Sequence, residues 1–190
     1  MRNSLVLGAV LMMLCAAGST ALAANSLQPG SMGLSIGVGD SALNHVAEPT
    51  GRDQQNPVVD ISGRYFLDSD VALTAGLGFQ VNTGSLDGTY WSFNMGVRKY
   101  LKIQDFAPFV GGQFSYISYN ASLPAPVGTY ADYKAYEFDG IVGFEYFFAN
   151  QVSIEGSVGL AFGHGKNDVS NASTTYLGTR VFGIQANFYF

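Results

Sequence analysis

Residues 71–81 read Val-Ala-Leu-Thr-Ala-Gly-Leu-Gly-Phe-Gln-Val, and every second residue of this run is apolar. Successive side chains of a β-strand point to opposite faces, so a period of two indicates a strand rather than a helix. The residues between the apolar ones are small or polar: Ala72, Thr74, Gly76, Gly78 and Gln80. The run therefore predicts a strand with one face towards lipid and the other towards a narrow interior.

The same alternation recurs in seven further stretches, at about 32–39, 58–67, 90–101, 107–118, 135–148, 152–162 and 176–190. A ten-residue strand rises ~33 Å, and a tilt of ~40° reduces its vertical reach to ~25 Å, the height of a membrane's apolar band. Lipid cannot hydrogen-bond an open strand edge, so the sheet has to close on itself. We predict an all-β fold, an eight-stranded antiparallel transmembrane up-and-down β-barrel.

The connections between the strands alternate in length, as membrane barrels require. Short ones at 68–70, 102–105 and 149–151 predict periplasmic turns, whereas longer ones at 40–57, 82–89, 119–134 and 163–174 predict external loops. An even number of strands places both termini in the periplasm. Aromatic residues are expected in two interfacial belts. The inner belt is Tyr65, Tyr100, Phe106, Tyr146, Phe148 and Phe190, and the outer belt is Phe79, Trp91, Tyr116, Tyr136, Phe138, Phe162 and Tyr176.

Residues 1–23 have the features of a secretory signal peptide. Arg2 precedes an uncharged apolar stretch from 5 to 17, and Ala21-Leu22-Ala23 matches the small-x-small pattern of a cleavage site. The apolar stretch is shorter than the ~20 residues that a spanning helix needs. Cys15, the only cysteine, lies inside this leader and lacks the neighbouring small residue that lipoprotein processing requires. We therefore expect residues 24–190 to be the barrel domain.

Composition favours a membrane barrel over a nucleic-acid-binding protein. Charged residues make up only 12% of the chain and aromatic residues 14%, and the formal net charge is −5. Arg2 is the only charged residue of the leader, so its removal makes the chain more acidic still. A nucleic-acid surface needs clustered basic residues, which this sequence does not offer.

The C-terminus carries the most specific signal. Phe182, Ile184, Ala186, Phe188 and Phe190 are apolar and spaced by two, and phenylalanine is the final residue. This pattern resembles the C-terminal assembly signal of bacterial outer-membrane proteins. Residues 63–66, 97–100 and 107–111 also resemble strand-end segments of the small OmpA/OmpX-like barrels. The resemblance implies an outer-membrane location, a porin-like barrel fold and assembly by the BAM machinery, but no particular activity.

Four inward-facing charges are expected at about one level of the barrel: Arg64, Arg98, Glu145 and Glu155. The interior of an eight-stranded barrel is only wide enough to be filled by side chains. Arginine forks onto carboxylates, and isolated burial of any one charge would be costly. We predict a cross-lumen ion-pair cluster that closes the barrel.

Three acids, Asp60, Glu137 and Asp139, are predicted to line the upper lumen without an obvious basic partner. They could be hydrated at the external mouth. If the barrel conducts, this acidic mouth predicts a preference for cations. The sequence thus leaves open a narrow cation-preferring channel for small solutes, in which inward glycines provide the path.

Enzymatic activity is not predicted. Lipid-modifying outer-membrane enzymes need a histidine beside a serine at the outer rim. His164 is followed by Gly165-Lys166 rather than by a serine motif, and His45 has no matching partner on a neighbouring strand. Two distant histidines and no cysteine outside the leader do not make a transition-metal ligand set, so no metal and no cofactor is expected.

The sequence therefore predicts an integral outer-membrane protein with a structural or surface-contact role, serving envelope integrity or loop-mediated contact. Its expected partners are outer-membrane lipid and lipopolysaccharide, the BAM machinery by resemblance, and a host or other surface ligand at the external loops. A lipid-modifying enzyme is the least favoured alternative.

Overall fold

The computed structural model describes residues 27–39, 58–82, 87–123 and 128–190. The predicted signal peptide and the whole of the predicted loop 40–57 lie outside the described residues. In the described ranges, no helix is long and apolar enough to cross a bilayer. The strands are β1 (Met32–Gly39), β2 (Val58–Asp68), β3 (Val71–Asn82), β4 (Asp87–Tyr100), β5 (Phe106–Leu123), β6 (Gly128–Ala149), β7 (Val152–Asn167) and β8 (Ser173–Tyr189).

The eight strands form a closed antiparallel barrel in which each strand pairs with its neighbours in sequence. The seam lies between β1 and β8, from Gly33 opposite Tyr189 to Gly39 opposite Gly183. Phe190 extends the seam, because its N–H donates to Met32 O at 3.0 Å and its own carbonyl accepts from Met32 N–H at 3.1 Å. The predicted fold class is confirmed.

The alternation seen in the sequence corresponds to two chemically different faces. On β4, the outward side chains of Trp91, Phe93 and Met95 are exposed and the inward side chains of Ser92 and Asn94 are buried. The other strands follow the same rule, with exceptions such as Val152, which is buried at the start of β7. Closing the sheet therefore gives an apolar outer surface and a polar interior.

Both ends of the described chain lie at one end of the barrel, here called the terminal end; the opposite one is called the far end. Short turns at Ser69–Asp70 and Asn150–Gln151 and the longer connection 101–105 lie at the terminal end. Outward aromatic side chains are exposed near this end and again nearer the far end. The first group is Tyr65, Phe106, Tyr146, Phe148 and Phe190, and the second is Phe79, Trp91, Tyr136, Phe138 and Phe162.

Two predicted loops are largely strand. Residues 119–123 and 128–133 pair across β5 and β6, with Tyr119 opposite Tyr133 and Asn120 opposite Asp132. Residues 163–167 of β7 pair with β6 and β8. The loop predictions 119–134 and 163–174 were wrong. Polar residues on both faces interrupt the apolar alternation in the sequence, but they do not interrupt the strand pairing. The backbone ladder of a hairpin can continue beyond the membrane.

Two aromatic residues predicted for the outward belts point inward. Tyr100 shares the inward face of β4 with Arg98, two residues before it, and is buried. Tyr176 is buried while Leu177 is 76% exposed, whereas further along β8 Ile184 is outward and Asn187 inward. The β7–β8 register shifts between Ser157 and Gly159. A bulge of this kind reverses the alternation along a strand, which explains the wrong prediction for Tyr176.

Candidate functional site in the barrel lumen

The four charges predicted to meet in the lumen come from four strands: Arg64 from β2, Arg98 from β4, Glu145 from β6 and Glu155 from β7. Glu145 and Glu155 are direct cross-strand partners. Like charges in that position repel each other. Two carboxylates side by side therefore need cations from across the lumen.

Both arginines reach the glutamates. Arg64 Nη1 donates to Glu145 Oε2 at 2.9 Å, and Arg64 Nη2 donates to Glu155 Oε2 at 2.8 Å. Arg98 Nη1 also donates to Glu155 Oε2. The four side chains are almost completely buried, Arg98 being the least so at 9% exposed. We call these four residues the ion-pair cluster; its formal charges cancel.

Neutral groups complete the hydrogen bonds of Glu145. Tyr100 OH donates to Glu145 Oε2 at 2.6 Å, and Asn187 Nδ2 donates to Glu145 Oε1 at 2.8 Å. Tyr189 OH and Ser153 Oγ donate to the same Oε1. Arg64 Nη1 also donates to the two tyrosine hydroxyls, at 2.8 Å for Tyr100 and 2.6 Å for Tyr189. A buried carboxylate with this many donors keeps its charge at a lower cost.

These four neutral partners are not among the site residues that the sequence predicts. Ser153 and Asn187 have the inward phase of their strands, but their contacts with Glu145 depend on strand register and side-chain reach. The sequence predicts Tyr100 in an interfacial belt, which the structure contradicts. The available signal was its separation of two residues from Arg98, which requires the same face.

An apolar layer packs against the ion-pair cluster, mostly on the side of the terminal end. This terminal layer consists of Leu27, Phe66, Ala72, Tyr100, Ala107, Phe109, Ile141, Phe147 and Tyr189. Its rings contact one another, with centroids 5.8 Å apart for Phe66 and Tyr100 and 5.5 Å apart for Phe147 and Tyr189. Phe109 also faces Arg98, whose guanidinium carbon lies 4.8 Å from the ring centroid. The cluster is therefore screened from water at this end.

The three upper acids lie between the ion-pair cluster and the far end. Asp60 accepts hydrogen bonds from Asn94 Nδ2 at 2.9 Å and Gln185 Nε2 at 3.4 Å. Glu137 accepts one from Tyr176 OH at 2.9 Å. Glu137 and Asp139 are buried, so they do not form the open, hydrated mouth that the sequence left possible. Amide and phenol groups thus donate to two of these acids, Asp60 and Glu137.

A second apolar layer covers these acids on the side of the far end. This far layer consists of Val58, Tyr90, Ile117, Tyr133, Ala135, Ala161 and Tyr176. The cavity below it, bordered by Asp60, Asn94, Gln113 and Glu137 among others, has a volume of about 30 Å³. A cavity of this size holds at most a few water molecules. The described lumen is filled along its length.

A larger apolar hollow, of about 980 Å³, is bordered by the exposed outward side chains of Leu73, Met95, Val97 and Phe138. Most of its lining residues have the outward phase of their strands, and the inward residues Arg64, Gln113 and Asp139 alternate with them. An outward apolar hollow of this kind is a surface for lipid rather than for a polar substrate.

The residues considered for catalysis or metal binding are not brought together. His164 is exposed, and its Nδ1 lies 2.8 Å from Thr175 Oγ1. Ser170, a serine in the turn that follows β7, does not contact this histidine in the hydrogen bonds found: its Oγ accepts a hydrogen bond from Ala172 N–H at 3.4 Å. His45 lies outside the described residues. Among the residues that the structure describes, no group of three or more potential ligands could hold a metal ion.

Comparison with known proteins finds similarity of structure but not of sequence. No protein-family model matches the chain. No curated protein sequence matches it either. Among solved structures, the N-terminal β-barrel domain of Pseudomonas aeruginosa OprF is similar, with a TM-score of 0.53 and 13% identity over 85% of this chain and 98% of that one.

Neisserial surface protein A is similar as well, with a TM-score of 0.51 and 12% identity over 84% of this chain and 95% of that one. Ail of Yersinia pestis, the attachment invasion locus protein, gives a TM-score of 0.49 and 14% identity over 86% of this chain and 100% of that one. Identities this low establish the fold alone. The protein is a small eight-stranded β-barrel of the outer-membrane type, with a buried charge cluster in its lumen.

Proposed function

We propose that the protein is an integral barrel of the bacterial outer membrane with a structural or surface-contact role, without enzymatic activity and with a closed lumen. The filled interior is the observation that carries this proposal. From the terminal end to the far end, the lumen contains the terminal layer, the ion-pair cluster, the upper acids with their donors, and the far layer. This arrangement favours a rigid, closed barrel over an open channel.

The outer surface supports the membrane location. Leu77, Val142, Val158 and Leu160 are each about half exposed, on three different strands. Soluble monomers rarely expose contiguous apolar surface on this scale, whereas a bilayer covers it.

The orientation follows from the lengths of the connections. The terminal end has mostly short turns, which in outer-membrane barrels face the periplasm. The paired strands β5 and β6 continue at the far end to Leu123 and Gly128. We therefore place both termini in the periplasm and the far end outside the cell. The C-terminal residues Phe182, Ile184, Ala186, Phe188 and Phe190 serve as the assembly signal for the BAM machinery in this proposal. Ile184 and Phe190 are exposed to lipid, and the side chain of Phe182 lies outside those described.

The far end supplies the contact surface. Lys134 Nζ lies 2.6 Å from Asp168 Oδ2, and Lys166 Nζ lies 3.7 Å from Asp168 Oδ1. These exposed ion pairs lie beyond the outward aromatic residues and stiffen the extension of β6 and β7. The proposed partners are lipopolysaccharide around the barrel and a host or other cell-surface ligand at the far end.

The alternative of a narrow cation-preferring channel receives less support. It requires a continuous aqueous path past Glu137 and Asp139, but both are buried and the adjoining cavity has a volume of only about 30 Å³. The exposed His164, hydrogen-bonded to a threonine, likewise gives little support to a lipid-modifying enzyme.

A shortened hairpin tests the contact role. Residues 120–132 are replaced by Asn-Gly, which favours a two-residue turn and closes on the pair Tyr119–Tyr133. The wild-type protein and this variant are each expressed in a strain lacking the gene. We expect equal amounts of heat-modifiable barrel in the membrane and reduced adhesion to cells or serum resistance for the variant only. Unchanged adhesion and serum resistance would contradict a contact role for this hairpin.

A further inference from the structure

A residue that precedes the barrel closes its terminal end. Leu27 lies before β1 and is only 2% exposed. It belongs to the terminal layer together with Phe66, Phe109 and Phe147. The chain therefore turns back at the start of β1 and inserts one apolar side chain into the mouth of the barrel.

Backbone hydrogen bonds hold this segment in place. Ser31 N–H donates to Gln28 O at 3.0 Å, and Gly30 N–H donates to Phe66 O at 2.8 Å. Phe66 N–H donates in return to Ser31 O at 3.0 Å. Gly30 has a φ of +86°, a conformation that glycine adopts far more easily than other residues. The segment is thus a defined turn fixed to β2.

The ion-pair cluster lies directly behind the layer that Leu27 completes. Tyr100 and Tyr189 belong to both, because their rings are in the terminal layer and their hydroxyls contact Arg64 and Glu145. Ion pairs are stronger where water is excluded. A side chain that keeps water out of this mouth therefore influences the cluster without touching a charge.

We propose that Leu27–Ser31 is a stopper: a turn that inserts Leu27 into the terminal mouth of the barrel and controls the access of water to the ion-pair cluster. The stopper rests on the closed lumen of the proposed function but adds a distinct element to it. Conductance tests whether the whole lumen is closed, whereas the accessibility of the terminal layer tests the stopper. Either proposal can therefore be contradicted without the other.

A buried cysteine reporter tests the stopper. Ala107 is fully buried in the terminal layer, and Cys15 is the only cysteine of the chain, so the parent protein is Cys15→Ser with Ala107→Cys. The refolded parent is treated with a small charged methanethiosulfonate, and the labelling rate is measured by mass spectrometry. Leu27→Ala is expected to accelerate labelling about tenfold or more, because water and the reagent then enter the mouth.

Two further variants separate the stopper from a general loss of packing. Leu101→Ala removes the same side chain at the same end, but from a residue that is 64% exposed, and should leave the rate at the parent value. Gly30→Ala strains the turn while keeping Leu27 and should give an intermediate rate. A heat-dependent gel shift verifies folding of each protein, and Leu27→Met, which keeps a large apolar side chain in the mouth, should leave the rate near the parent value. A rate within twofold of the parent for folded Leu27→Ala (or for Gly30→Ala, if Leu27→Ala does not fold), or an equal increase in Leu101→Ala, would overturn the proposal.

Discussion

At the residue scale, Glu155 determines the charge balance of the ion-pair cluster. Its Oε2 accepts hydrogen bonds from both Arg64 and Arg98, which approach from different strands. Removal of one partner from a buried ion pair is costly because the other charge remains without compensation. Because Glu155 is buried and has two cationic partners, its substitution is expected to cause a large loss of stability.

Glu155→Gln should lower the free energy of unfolding by about 3–5 kcal/mol, because buried Arg98 would lose its carboxylate partner and buried Arg64 one of its two. Urea titration of the protein folded in lipid vesicles measures this. Asp70→Asn is the matched control, since Asp70 pairs with Lys99 at the surface. Exposed pairs contribute at most about 1 kcal/mol. Equal effects of the two substitutions would contradict a stabilising role for the cluster.

The hydroxyl of Tyr189 donates to Glu145 and accepts from Arg64. Tyr189→Phe keeps the ring in the terminal layer and removes only these hydrogen bonds. Hydrogen bonds to charged groups contribute about 1.5–3 kcal/mol, so a loss of that size is expected in the same titration. Tyr146→Phe, on the exposed outer face of β6, should change the unfolding free energy by less than about 0.5 kcal/mol.

At the element scale, β8 shows what an alternating pattern can and cannot predict. The positions of the strands, and the inward or outward direction of most side chains, could be predicted from the sequence. Lipid outside and a narrow lumen inside impose strict alternation. The bulge that turns Tyr176 inward could not, since it depends on the local pairing of β7 with β8 rather than on composition. The continued pairing of β5 with β6 was likewise hidden by polar residues.

The inward position of Tyr176 can be tested with single cysteines. In a Cys15→Ser background, Leu177→Cys should react quickly with a lipid-soluble maleimide and Tyr176→Cys slowly, because Leu177 is exposed on the outer surface and Tyr176 is buried in the far layer. The reversed order of reactivity would show that strict alternation continues through β8 and that the bulge is absent.

The turn between β7 and β8 carries a pH-sensitive contact. Hydrogen bonding by Lys134 lowers the pKa of Asp168. The folded carboxyl thus has a lower pKa than the unfolded one, so its stabilising contribution is present above the ordinary aspartate pKa of about 3.9 and is lost as the pH falls through the folded value. Carboxyl carbon chemical shifts followed by NMR should show Lys134→Met raising the pKa of Asp168 towards the ordinary value. An unchanged pKa would mean that Lys134 does not act on this carboxyl.

At the scale of the whole molecule, the barrel consists of an apolar outer surface around a closed interior, and this interior contains the charge-balanced ion-pair cluster. The four residues of the ion-pair cluster could be selected from the sequence because each has the inward phase of its strand. Their neutral partners depend on strand register and on side-chain reach, and Leu27 comes from a segment without any periodic pattern. The parts set by alternation could be predicted, whereas those set by packing inside the closed barrel could not.

Planar-bilayer conductance of the refolded protein tests the closed lumen most directly. Folding is verified first by the heat-dependent gel shift, so that an absence of current cannot be caused by unfolded protein. The filled lumen predicts no discrete current steps. Reproducible, cation-preferring steps would contradict it, because they require a continuous water-filled path past the ion-pair cluster and both apolar layers.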